Sequence, residues 1–117
     1  PQETFALREA GRVEAIALAT PYLLAQRDMS ADPSRYVVLD MSLRAEPVAI
    51  TLRLADEELL AIANEVIAAM MRTGALEQLY NKWFMESVPG LRQPLNLPMS
   101  SAMRGLFKQP GSEKLAL

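Results

Sequence analysis

Apolar and polar positions recur at two different periods along this chain, and the switches between them mark out its elements. Thr4 to Ala10 is built of good helix formers, and Gly11 fits the position that ends a helix. Val13 to Thr20 is a short run with an apolar centre, Ile16-Ala17-Leu18, and it predicts a buried strand. Thr20 then stands where a hydroxyl caps a helix, with Pro21 at the first helical position and the helix running through Tyr22 to Met29. Ser30-Ala31-Asp32-Pro33-Ser34 is turn chemistry. Tyr36 to Leu39, aromatic and β-branched, predicts a second strand. After a polar connection, Asp40 to Glu46, the alternation in Val48 to Arg53 predicts a third.

The second half of the chain reads as helical. Asp56 caps the longest helix, and Glu57 and Glu58 in its first turn favour the positive end of the helix dipole. Leu59, Ala63, Val66, Ile67 and Met70 recur at helical spacing and form one apolar face. Gly74 ends that helix, and Ala75 to Phe84 forms another, so the chain turns sharply between them. From Val88 onward Pro89, Gly90, Pro94 and Pro98 predict an extended tail. Ser100 or Ser101 caps a last short helix, Ala102 to Lys108, which Pro110 and Gly111 stop. Helices interleaved with three strands make the fold class α/β, although three strands are few for a sheet covered on both faces.

Composition narrows the chemistry. The chain has 117 residues, a net charge of −2, and neither cysteine nor histidine. Disulfides, thiolate metal sites and imidazole general bases are therefore excluded, along with triads built on them. No basic surface points to nucleic acid or to a membrane-binding helix. No apolar run is long enough to span a bilayer, and no signal segment follows Pro1. Glu9, Glu14 and Asp40 lack the spacing of an acid–base pair.

Four motifs, in order, resemble one family. Leu7-Arg8-Glu9-Ala10-Gly11-Arg12-Val13-Glu14-Ala15, then a short strand and Thr20-Pro21-Tyr22, is similar to the second lobe of type 2 periplasmic solute-binding proteins of ABC importers. Glu46-Pro47-Val48-Ala49-Ile50 with Arg53 resembles the strand that returns to their first lobe. Met71 to Phe84, with a glycine before a helix ending Lys82-Trp83-Phe84, looks like their closing helices. The tail from Pro94 to Pro110 is similar to that of the glutamate/aspartate branch of the amino-acid-binding family 3.

The resemblance implies a partial type II periplasmic-binding fold, the C-terminal half of a longer protein. Residues 1–45 would be the end of lobe two, 46–53 the crossing strand, and 54–117 the C-terminal helices and tail of lobe one. The parent would bind a small polar amino acid in the periplasm and deliver it to an ABC permease, with no cofactor, no metal, no nucleic acid and no catalysis. Amino-acid binders of this family usually carry an aspartate at the end of the lobe-two strand, which pairs with the ligand's ammonium. The matching position here is Ala19. The ligand-binding candidates are thus Ala19, Thr20 and Glu46. Thr20 is either a hydroxyl acceptor or a helix cap, and Glu46 is either a hinge residue or a loop acid before a proline. Arg12 and Arg53 read as surface residues, and Arg44 lies in a polar loop near the hinge. Val48 stands where the family often has an aromatic. Trp83 and Phe84 read as core.

Two other functions stay open. One is a dehydratase-like enzyme on the same fold, against which the missing aspartate and the absent histidine argue. The other is a sensing or interaction module that has lost solute recognition, which Ala19 favours. The apolar face of the long helix would be uncovered in this chain alone, which predicts a homodimer or a domain-swapped oligomer.

Overall fold

The computed structural model describes residues 2–41, 43–44 and 48–109. Five α-helices follow in order: α1 (Gln2–Glu9), α2 (Thr20–Met29), α3 (Glu57–Thr73), α4 (Ala75–Phe84) and α5 (Ser101–Lys108). A single 3₁₀ turn, Pro33–Arg35, lies between α2 and α3.

The helix ends obey the expected chemistry almost everywhere. At the end of α1 the Arg12 N–H donates to Leu7 O at 2.9 Å and the Gly11 N–H to Arg8 O at 3.1 Å. That paired closure needs a left-handed residue, and Gly11 supplies it at φ +68°. Asp56 accepts from the Leu59 N–H at 3.2 Å, so α3 is capped as its sequence predicts. Gly74 closes α3 at φ +78°, and α4 leaves at 81° to it. Ser100 rather than Ser101 caps α5, accepting from the Met103 N–H at 3.1 Å. The turn that opens at Ser30 is fixed by Asp32, whose Oδ1 accepts from both the Ser34 hydroxyl, at 2.6 Å, and the Ser34 N–H. The Ser34 hydroxyl, helped by the charge of Arg35, holds this exposed carboxyl below its ordinary value of 3.8.

The three expected strands are corrected. Among the described residues no strand forms at Val13–Thr20, Tyr36–Leu39 or Val48–Arg53. The backbone does extend where the pattern asks for it: Tyr36 sits at φ −124°, ψ 134°. A strand is complete only when a neighbour accepts its ladder of hydrogen bonds, and these segments pair with no neighbour. Among the described residues the α/β reading is therefore met by its helices, while the segments with strand patterning stay unpaired. Pro110 and Gly111, expected to stop α5, lie outside the described residues.

The chain divides into two compact units, Pro1–Asp40 with Lys82–Leu97, and Met41–Asn81 with Pro98–Leu117. In the first, Phe5 is buried with its ring 5.1 Å from that of Tyr36, and the Arg8 guanidinium lies 6.0 Å over the same ring. Asp28 is buried too, and its carboxylate receives the Arg92 N–H at 2.8 Å. The Arg92 side chain donates to Ser30 O at 3.2 Å, so both ends of Arg92 fasten residues 88–97 to the end of α2. In the second unit Met99 is buried, and α5 lies against α3. Arg104 of α5 faces Glu77 of α4 at 3.8 Å and donates through Nε to Met99 O at 3.3 Å.

Phe5 and Met99 are the buried hydrophobic side chains among the described residues. Trp83, expected in a core, is about half exposed, and Phe84 is half-buried. On the apolar face of α3, Leu59 and Val66 are exposed while Ala63, Ile67 and Met70 are half-buried. No single described helix is long and apolar enough to cross a membrane.

Candidate functional site

The N-terminus of α2 carries two of the three expected site residues. Ala19 occupies the cap position at φ −58°, ψ 134°, and its carbonyl accepts from the N–H groups of Tyr22, at 2.9 Å, and Leu23, at 3.3 Å. Its methyl side chain cannot accept a hydrogen bond, so α2 starts without a side-chain cap. Thr20 is the first helical residue and not the cap, which corrects the assignment made from sequence. The shift has a local cause. Pro21 has its ring-fixed φ within the first turn, and helical geometry begins one residue earlier than the Thr-Pro pattern suggests. Ala19 and Thr20 are both exposed.

Glu46 lies outside the described residues. Arg12 and Arg53 are exposed, as a surface role requires, and Arg44 is exposed as well. The α2 N-terminus thus offers the N–H and hydroxyl of Thr20, without the carboxylate that would answer an ammonium group.

A second concavity lies within the unit formed by residues 41–81 and 98–117. It has a volume of about 230 Å³ and is lined by Met71, Glu77, Met99, Arg104, Phe107 and Lys108. Its lining is mixed, with Met71, Met99 and Phe107 beside the Glu77–Arg104 pair, whose side chains are both about half exposed. No local pattern in the sequence marks this place, because its residues come from three helices and the tail. Among the described residues no cluster of acidic side chains has the geometry of a metal site.

Comparison with known proteins decides the family. The sequence profile of the bacterial extracellular solute-binding proteins, family 3, matches residues 6–86. The chain belongs to that family. Among its curated relatives, the glutamate/aspartate import solute-binding protein of Escherichia coli K12 is 25% identical over 113 residues, covering 97% of this chain and 37% of the relative. The protein of the same name from Salmonella typhimurium LT2 is 26% identical over an equal span. The L-glutamate/L-aspartate-binding protein of Pseudomonas aeruginosa is 25% identical over 108 residues, 92% of this chain and 36% of the relative. This family 3 chain thus spans a little over a third of the length of the relatives it matches. No solved structure matches it.

Family membership agrees with the order of the motifs along the chain. It places this protein among the bacterial extracellular solute-binding proteins of family 3.

Proposed function

We propose that this family 3 chain is the C-terminal part of a periplasmic solute-binding protein that captures a glutamate- or aspartate-like amino acid for an ABC permease. One observation carries the reading: nearly the whole chain aligns with proteins named for glutamate and aspartate import, inside a family match that spans residues 6–86. The layout that fits is the end of lobe two in 1–45, the crossing strand in 46–53 and the lobe-one helices and tail in 54–117. Ala19, Thr20 and Glu46 then face the cleft of the parent, and two-lobe closure about the crossing strand is the form the permease reads.

Ala19 bears on how such a ligand would be held. With a methyl group where a carboxylate pairs an ammonium, the parent relies on the Thr20 hydroxyl, on Glu46 and on residues outside this chain. The 117-residue chain alone holds part of a cleft and self-associates through its uncovered apolar side chains instead.

The test is thermal unfolding of the longer protein that carries this chain, with L-glutamate and L-aspartate titrated in. A rise in midpoint with either ligand is the expected result. No rise with any amino acid overturns the proposal and leaves the non-binding module. Turnover of a prephenate-like acid overturns it in favour of an enzyme.

A further inference from the structure

The segment before α3 combines an unsatisfied backbone with uncovered apolar side chains. From Val48 to Leu52 no main-chain N–H or C=O has a hydrogen-bond partner among the described residues; the first bond is Asp56 N–H to Arg53 O. The side chains are as uncovered as the backbone. Val48 is 100% exposed, Ile50 66% and Leu54 94%, and only Leu52 is half-buried. These four alternate with Ala49, Thr51 and Arg53. In an extended chain, alternation at period two puts Val48, Ile50 and Leu52 on one face, and Leu54 continues the stripe where the turn closed by the Asp56 N–H on Arg53 O begins. An open edge with an apolar face is a template for another strand.

The register that such a segment prefers follows from its own sequence. In antiparallel self-pairing, a two-fold axis between residues would set apolar positions opposite polar ones. An axis through an odd or even residue keeps the faces matched. An axis through Thr51 pairs Val48 with Leu54 and Ile50 with Leu52, twice over, and leaves no member of the stripe unmatched. Axes through Ile50 or Leu52 leave one out. The segment is therefore self-complementary about Thr51, which is the requirement of an isologous interface.

We propose that in the 117-residue chain Val48–Leu54 pairs antiparallel with the same segment of a second copy, about a two-fold axis at Thr51. This rests on the self-association read above and names its contact. The apolar face of the ribbon is covered by the exposed α3 stripe of Leu59, Ile62 and Val66, which follows the segment after two residues. Seven apolar side chains from each copy bury roughly 800–1,700 Å² in total, at roughly 60–120 Å² each. That reaches the range of about 1,200–2,000 Å² found in stable interfaces.

The chain has no cysteine, so one introduced thiol reports the register without background. Residues directly opposite in an antiparallel pair have Cα atoms about 4.5–5.5 Å apart, a separation that a disulfide spans. Thr51→Cys in the full 117-residue chain is expected to form a disulfide-linked dimer under mild oxidation. Arg53→Cys, opposite Ala49 in this register, is expected not to. Light scattering of the unmodified chain at low micromolar concentration should give twice the chain mass, and Ile50→Lys should raise the dissociation midpoint at least tenfold. A monomer by light scattering overturns both this proposal and the self-association behind it. A dimer that Thr51→Cys does not link, or that Ile50→Lys does not weaken, overturns the strand pairing and leaves self-association standing.

Discussion

Ala19 carries the conflict between stability and recognition in one methyl group. The carbonyl of Ala19 starts α2 by accepting from the Tyr22 and Leu23 N–H groups, yet its methyl side chain adds no cap of its own. An aspartate there would accept from that turn and place a negative charge at the positive end of the helix. Ala19→Asp is therefore expected to stabilise the chain by about 1 kcal/mol, read as a higher urea midpoint with an unchanged slope. Asp28 is the opposite case, a carboxylate already in use. Asp28→Ala strips the acceptor from the Arg92 N–H and is expected to cost about 1–3 kcal/mol, with faster amide exchange at Arg92 as its local signature. The two positions also differ in legibility. Ala19 stood out because the family resemblance expects an aspartate at that position. Asp28 did not, because its partner lies 64 residues away and no local pattern connects them.

At the scale of elements, the helices were readable from local chemistry and the strands were not. Asp56, Ser100 and Gly74 each do at a helix end what their side chains, or the lack of one, dictate. The period-two runs extended the backbone but could not name a partner, and pairing is a relation between two segments. Two glycines test how far element logic reaches. Gly74 holds φ +78° at the α3–α4 bend, whereas Gly105 lies within α5 with open space where a Cβ would stand. Neither site has an atom within 4 Å of an added Cβ, so sterics with neighbours do not decide the outcome. Gly74→Ala is expected to lose about 1 kcal/mol from the left-handed backbone. Gly105→Ala is expected to gain about 0.5–1 kcal/mol from helix propensity. Chemical unfolding of the two variants beside the parent chain should therefore move the midpoint in opposite directions for the same change of atoms.

At the scale of the molecule, the family was legible in the sequence, because ordered motifs survive at 25% identity where packing detail does not. The exposed Val48, Ile50, Leu54, Leu59, Ile62 and Val66 have the patterning of buried side chains and no cover. Hydrophobic burial is the main favourable term in folding, so in the proposed dimer each copy gains stability by covering side chains that it leaves bare alone. Linkage then makes the unfolding equilibrium depend on concentration, since one folded dimer gives two unfolded chains. A tenfold rise in concentration adds about 1.4 kcal/mol per dimer. Unfolding entropy of about 2.1 cal/mol/K per residue over both chains turns that into a shift of about 3 °C. Calorimetric midpoints of the 117-residue chain at 5, 50 and about 500 μM, spaced tenfold as linkage requires, should therefore climb by about 3 °C at each step. Midpoints that stay level across the series would mean that each copy unfolds alone and that its apolar face is tolerated bare.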